Sequence, residues 1–253
     1  VKITILGCGG AGGVPLIGNN WGRCNPADPR NRRTRVSVLV EEGGKTILID
    51  ASPDMRQQLL VCDLKNLDAV MFTHAHADHC HGIDELRSVN WLTKKPIDIY
   101  ADPVTMDELK TRFDYIFKGT SPGKFYSPSV TTHEINGPFD IGDVHVVPFA
   151  QNHGPIQSLG YRIKDFAYST DAHELDEAAF AALAGVKVWV VDCAREEPHP
   201  THAHLAKTLE WIARVKPQQA YLTHMNETLD YATLAAKLPA GTVPAHDGLV
   251  IEC

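Results

Sequence analysis

Short apolar runs rich in β-branched side chains recur along the chain. KITILG, RVSVLVEE, KTILIDA, AVMFTH and IDIYA come first, then DVHVVPFA, LGYRI, FAYSTD, VWVVDC and QAYLTH. Runs of this make-up, bounded by Gly, Pro, Asn and Asp, predict strands. Between some of them the apolar period lengthens to that of a helix. PDMRQQLLVC carries Pro53 near a helix start. HADHCHGIDELRSV, 76–89, continues helically after its histidines, and PVTMDELKTRFDYIF, ELDEAAFAALA, THAHLAKTLEWIARV and NETLDYATLAAKL are amphipathic or alanine-rich. KGTSPGKFYSPS, 118–129, reads as a loop and a candidate lid. A second group of strands and helices begins near residue 130. The order predicts an α/β protein with two packed sheets and helices on the outer faces. We treat 1–253 as one domain made of two halves, about 1–130 and 131–253.

Several strand-like runs end on a polar group: ILIDA, MFTHAHADH, FAYSTDA, WVVDC and AYLTHM. A buried strand that ends this way delivers the group to one rim of its sheet. Neighbouring strands would bring all of these groups to one cleft.

Of the 253 residues, 43% are hydrophobic and 22% charged, an ordinary composition for a soluble globular protein. The net charge of −7 disfavours broad electrostatic binding to nucleic acid or anionic membrane. PRNRRTR, 29–35, is a local exception, either a solvated loop or a phosphate-attracting rim. The six cysteines are scattered without a CxxC pair, so reduced thiols are expected. No apolar run approaches the roughly 20 residues of a membrane span. A cytoplasmic location is the corresponding expectation.

THAHADHCHG, 73–82, concentrates histidine and aspartate beyond anything folding requires. His74 and His76, two apart at a strand end, can face one ion. Asp78 and His79, where a helix should begin, can face a second. Downstream strand ends supply His153 from AQNHG, Asp171 from YSTDA and His224 from YLTHM. A carboxylate such as Asp171 can give one oxygen to each of two cations. The assignment is His74, His76, His153 and Asp171 on one ion, and Asp78, His79, Asp171 and His224 on the other. Nitrogen and oxygen donors suit two divalent ions such as Zn or Mn. Paired ions of this kind make hydroxide from water near neutral pH and polarise phosphoryl or carbonyl oxygens, which is a device for hydrolysis.

The order H-x-H-x-D-H, His, Asp, His, with LIDA before it and AHDGL after it, resembles the metallo-β-lactamase superfamily across essentially the whole chain. The resemblance implies a four-layer αβ/βα sandwich with metals at the sheets' shared edge, and a ligand-orienting role for Asp50. The bridging Asp171 and the absence of a thiolate ligand are similar to the phosphodiesterase branch. LGCGGAGGVPLIGNNWGRC and VVDC followed by His202 resemble the cyclic-phosphate phosphodiesterases of the carbon–phosphorus lyase pathway, and ribonuclease Z is a more distant likeness. The same match makes His202 a general acid for the leaving oxygen, with His204 the confusable alternative and His199 a weaker one. Asp78 is counted as catalytic as well as a ligand, and Asp192 as an orienting group. That branch holds a structural zinc through clustered cysteines and a late histidine. Here only Cys24 and, at the late position, Glu227 are present, so no structural zinc is expected and loop 19–35 must be held otherwise.

The glycine-rich GCGGAGGVP, 7–15, is either a phosphate-approaching turn or a tight packing turn. A dinucleotide fingerprint is excluded, because a basic loop follows where a helix is required. His81, His133, His145, His173 and His246 are left outside the metal shell. The leading expectation is a dinuclear phosphodiesterase acting on a small (cyclic) nucleotide or sugar phosphate ester. Its alternatives are a ribonuclease Z-like nuclease, a thioester or lactone hydrolase, and a non-catalytic metal-binding protein. No nucleic-acid or membrane partner is expected, and a homodimer is anticipated from relatives.

Overall fold

Alternating side chains explain how the layers assemble. On the second strand, Val38 and Val40 face the other sheet while Leu39 turns to the helices, and on the third Ile47 and Ile49 oppose Leu48 in the same way. A strand's period of two sends successive side chains to opposite faces, and both faces of this sheet are covered. The computed structural model describes residues 1–118 and 129–253. The predicted lid loop lies, except for its two ends, outside the described residues.

The first sheet collects β1 (Lys2–Gly7), β2 (Ser37–Glu42), β3 (Lys45–Ile49), β4 (Ala69–Met71), β5 (Ile97–Ala101) and β6 (Val130–Glu134). The second collects β7 (Phe139–Ile141), β8 (Val144–His153), β9 (Ile156–Ile163), β10 (Phe166–Ser169), β11 (Val188–Asp192), β12 (Gln219–Thr223) and β13 (Thr242–Pro244). A last strand, β14 (Val250–Glu252), returns to pair with β1, so each sheet has seven strands among the described residues. The orders are β14-β1-β2-β3-β4-β5-β6 and β13-β12-β11-β10-β9-β8-β7. This is the expected four-layer arrangement of two mixed sheets flanked by helices.

The inter-sheet core joins Ile3, Ile5, Val40 and Ile47 to Tyr161, Phe166, Tyr168 and Trp189. Leu48, Val70, Phe72, Ile99 and Leu109 form a separate cluster between the first sheet and its helices. Burying each large aliphatic side chain contributes roughly 1.5–3 kcal/mol. The helices are α1 (Met55–Val61), α2 (Ala77–Cys80), α3 (Leu86–Thr93), α4 (Pro103–Arg112), α5 (Asp114–Lys118), α6 (Glu177–Leu183), α7 (Leu205–Val215) and α8 (Tyr231–Ala235). The helix expected to continue through 76–89 is broken into α2, a 3₁₀ turn at Ile83–Glu85, and α3. Gly82 is the reason. Its amide donates to Ala51 O at 2.8 Å, and a Cβ there would lie 2.0 Å from Ser52 O.

Loop 19–35 is held by a buried arginine. The Arg33 guanidinium donates to Asn226 O at 3.0 Å, Leu229 O at 2.6 Å and Asn31 Oδ1 at 3.2 Å. Asn31 in turn donates to Asp230 Oδ1 at 2.8 Å and accepts the Tyr231 amide at 2.8 Å. The other arginines of the basic run are also engaged. Arg30 pairs with Asp28, Arg32 stacks on Trp21 and Arg35 pairs with Asp54. Arg33 makes the run a structural tie, while Arg30 and Arg32 stay at the surface. Among the described residues, no helix is long and apolar enough to cross a membrane.

Candidate metal centre

Parallel pairing aligns the ends of the strands that carry the chemistry. β3 runs parallel to β4 in one sheet, and β10, β11 and β12 run parallel in the other. Their carboxyl ends therefore open on one rim, where open α/β sheets place ligands. Asp50 follows β3, Thr73–His79 follow β4, Asp171 follows β10, Asp192 ends β11 and His224 follows β12. His153 ends β8, and Asp78 and His79 lie in the first turn of α2. Asp50, Asp171 and His224 have φ of 65°, 53° and 59°. Such left-handed conformations cost about 1–3 kcal/mol and cluster at functional sites. They turn the chain sharply at the strand end and leave the side chain aimed at the rim.

The structure brings all seven predicted ligand residues together in two groups. His74, His76, His153 and Asp171 form one, and Asp78, His79 and His224 the other, each with donor atoms within 4.8 Å of one another. Asp171 lies between them. Its Oδ1 is 3.4 Å from His153 Nε2 and 3.9 Å from His74 Nε2. Its Oδ2 is 3.0 Å from His79 Nε2 and 3.3 Å from His224 Nε2.

Hydrogen bonds at the rear of the rings set their tautomers. His79 Nδ1–H donates to Asp50 Oδ2 at 2.7 Å, and His153 Nδ1–H to Thr201 O at 2.7 Å. The Thr73 hydroxyl donates to Asp50 at 2.9 Å, so it accepts from His74 Nδ1–H at 3.0 Å. In each ring Nε2 is the nitrogen left facing the cluster. His74 Nε2 then lies 2.9 Å, and His153 Nε2 3.3 Å, from His76 Nδ1. Ring nitrogens this close need a shared proton or a cation between them.

Charge points the same way. Burial disfavours a charged His79, yet the carboxylates of Asp171, Asp78 and Asp50 push it well above its usual range. His224 is pushed up to about 9 against its burial by Asp171, Asp78 and Asp192. Burial opposes ionisation of Asp171, but His224 and His79 hold it well below the usual carboxylate range. Burial, helped by His79, keeps His74 well below its usual value. His79 Nε2, both ring nitrogens of His224, His202 Nδ1 and Asp192 Oδ1 are buried without a hydrogen-bond partner. An unsatisfied buried polar atom costs about 1–3 kcal/mol. Crowded acceptors with a surplus of carboxylates fit divalent cations.

His202 stacks on His224 with ring centroids 4.7 Å apart and meets His153 edge-on at 4.7 Å. Its Nδ1 is 3.4 Å from Asp192 Oδ2 and 3.8 Å from Asp171 Oδ1. It thus also falls within ligand reach, grouped with Asp171 and His224. His204 sits at the N-cap of α7, where its carbonyl accepts from Thr208. Asp192 spans the site, facing His202 and His224 and accepting the Ala172 amide at 3.0 Å. A cavity of about 270 Å³ opens beside these rings, lined by Gly10–Gly13, Arg195, His199, His202 and His224 among others. Gly9 is tightly packed, since a Cβ there would lie 2.9 Å from Arg33 Cβ. The packing reading of the glycine-rich stretch therefore holds at Gly9, while Gly10–Gly13 line the cleft.

The sequence profile of the beta-lactamase superfamily domain matches residues 45–225. The chain belongs to the metallo-β-lactamase superfamily. A crystal structure of a diphosphatase from the PhnP family superposes with a TM-score of 0.92 at 34% identity, covering 100% of this chain and 97% of that one. An octanoyltransferase of Porphyromonas gingivalis is 32% identical over 231 residues, 89% of this chain but 46% of that protein. A ribonuclease Z of Bradyrhizobium sp. is 28% identical over 161 residues, 62% of this chain and 51% of that protein. The chain spans about half the length of these curated relatives. Sequence reasoning missed Thr73 and Arg195. Thr73 adjoins the histidine motif and ends an apolar run, a signal that was available. Arg195 is visible only through the tertiary fold.

Proposed function

We propose that the protein is a two-metal phosphodiesterase that hydrolyses a small phosphate ester or anhydride. The position of Asp171 carries the reading, with one carboxylate oxygen toward His74 and His153 and the other toward His79 and His224. His74, His76 and His153 would hold one ion, Asp78, His79 and His224 the second, and Asp171 would serve both. Zn or Mn ions bound there would supply a water-derived nucleophile at neutral pH and Lewis-acid contacts to phosphoryl oxygens. The ligand set draws on both sheets, which supports treating 1–253 as one catalytic unit.

The remaining groups orient and move protons. Asp50, Thr73 and the Thr201 carbonyl fix three imidazoles. His202, facing the cavity beside His224 and backed by Asp192, is placed to protonate a departing oxygen. Positioned proton transfer contributes about 10²–10⁴-fold, most where the leaving group is a poor one such as an alkoxide. A cavity of about 270 Å³ supports a small substrate. Likeness to a diphosphatase at 34% identity supports phosphorus chemistry, since diesters and anhydrides both present a phosphorus with two bridging oxygens. A ribonuclease Z-like role is less well supported, because the arginines of 29–35 are engaged within the protein.

Metal-loaded protein should hydrolyse bis-p-nitrophenyl phosphate with about two ions bound per chain. Turnover of a thioester or lactone with none of the phosphodiester would refute the proposal.

A further inference from the structure

Arg195 is a cation that the structure leaves unused. It lines the cavity together with His202 and His224, yet among the described residues its guanidinium makes no hydrogen bond or ion pair, and its buried Nε has no acceptor. Its neighbour Glu196 is committed to Arg23 and Lys237. Glu227, which also lines the cavity, packs its stem toward Gly22. The backbone around Arg195 is fixed. Ala194 N donates to Ala203 O at 3.0 Å, Leu205 N to Arg195 O at 2.9 Å, and Asn226 N to Ala194 O at 3.0 Å. Across the same lining, the amides of Ala11 and Gly12 donate to no acceptor among the described residues.

From this we infer that Arg195, with the Ala11–Gly12 amides, binds a second phosphate group, so that the preferred substrate is a diphosphate with a P–O–P link. The inference deepens the phosphodiesterase reading and rests on it. A planar guanidinium matches two phosphate oxygens at once, and free backbone N–H groups complete an anion seat. A simple diester offers no second anion for that seat. In hydrolysis the oxygen of water bonds to the attacked phosphorus and the P–O–P link breaks. The bridging oxygen leaves with its electron pair on the second phosphate, and one proton of the water is released. The charge that grows on the departing phosphate is then met by Arg195.

The test compares wild type with Arg195→Ala, Arg195→Gln and Arg195→Lys. Two substrates are used, P1,P2-di(adenosine-5′) diphosphate and bis-p-nitrophenyl phosphate. The ratio of their kcat/KM values should fall about tenfold or more in the Ala and Gln variants and recover in part with Lys. Calorimetry on the metal-free proteins should show Kd for α,β-methylene-ADP rising about tenfold or more with Ala or Gln. A substrate ratio and a Kd that stay at wild-type values in Arg195→Gln would overturn the inference. Failure of the metal-loaded wild type on both substrates would instead remove the phosphodiesterase reading, and the metal-free Kd comparison would still decide the role of Arg195.

Discussion

Asp50→Asn isolates a single proton. In the native protein Asp50 Oδ1 accepts the Thr73 amide at 2.8 Å, while Oδ2 accepts His79 Nδ1–H at 2.7 Å and the Thr73 hydroxyl at 2.9 Å. An asparagine fits the same space but has one acceptor oxygen. Turning its NH₂ toward the Thr73 amide would oppose a buried backbone donor that cannot move, whereas the Thr73 hydroxyl can rotate and the imidazole can change tautomer. The oxygen therefore stays with Thr73 and the NH₂ faces His79. Nδ1 must then accept, which puts the imidazole proton on Nε2, 3.0 Å from Asp171 Oδ2 and 3.3 Å from Asp78 Oδ2. A protonated Nε2 cannot ligate. Loss of such an orienting partner costs about 10–100-fold in metal affinity, or roughly 1.4–2.7 kcal/mol. The loss should fall on one ion, the one shared by Asp78, His79 and His224. Competitive titration against a chromophoric chelator, with elemental analysis, should show one tight and one weakened ion per chain. Two ions at wild-type affinity would refute the tautomer argument.

Other expectations follow from the same geometry. His202→Ala should retain both ions by elemental analysis yet lose at least about tenfold in turnover, with a larger loss for an alkyl ester than for a p-nitrophenyl ester. Loss of an ion would make His202 a ligand. Asp171→Asn should weaken both ions together, measured in the same chelator titration. Chelation should abolish turnover, and Zn or Mn should restore it. At Asp230, burial opposes ionisation, but bonds from the Asn25 and Thr233 amides and the Asn31 side chain hold the carboxyl below its usual range. A depressed folded pKa gives stability that is present above the unfolded value of about 4 and lost as pH falls. The urea-midpoint difference between wild type and Asp230→Asn should therefore be large at pH 7 and shrink at pH 3.

Much of the candidate site could be read from the chain because strand ends are written locally. An apolar run that stops at Asp or His announces both the element and its cargo, and His74, His153, Asp171 and His224 were found in this way. The helix through 76–89 was misjudged because Gly82 answers to Ser52, a contact no periodicity reveals. The arginines of 29–35 read as either a solvated loop or a phosphate-attracting rim. The partners of Arg33, the carbonyls of Asn226 and Leu229, lie some two hundred residues away. Arg195 escaped for the converse reason, since only the fold shows that no partner awaits it among the described residues.

The left-handed turns at Asp50, Asp171 and His224 restrict how this centre can diverge. Besides glycine, which carries no donor, aspartate, asparagine and histidine are the residues most at ease there. Exchanging Asp171 for a branched or bulky donor would strain the main chain before any question of coordination arose. Descendants of this protein can therefore vary the cleft walls freely, while the chemical vocabulary at three corners of the rim stays confined to a few side chains.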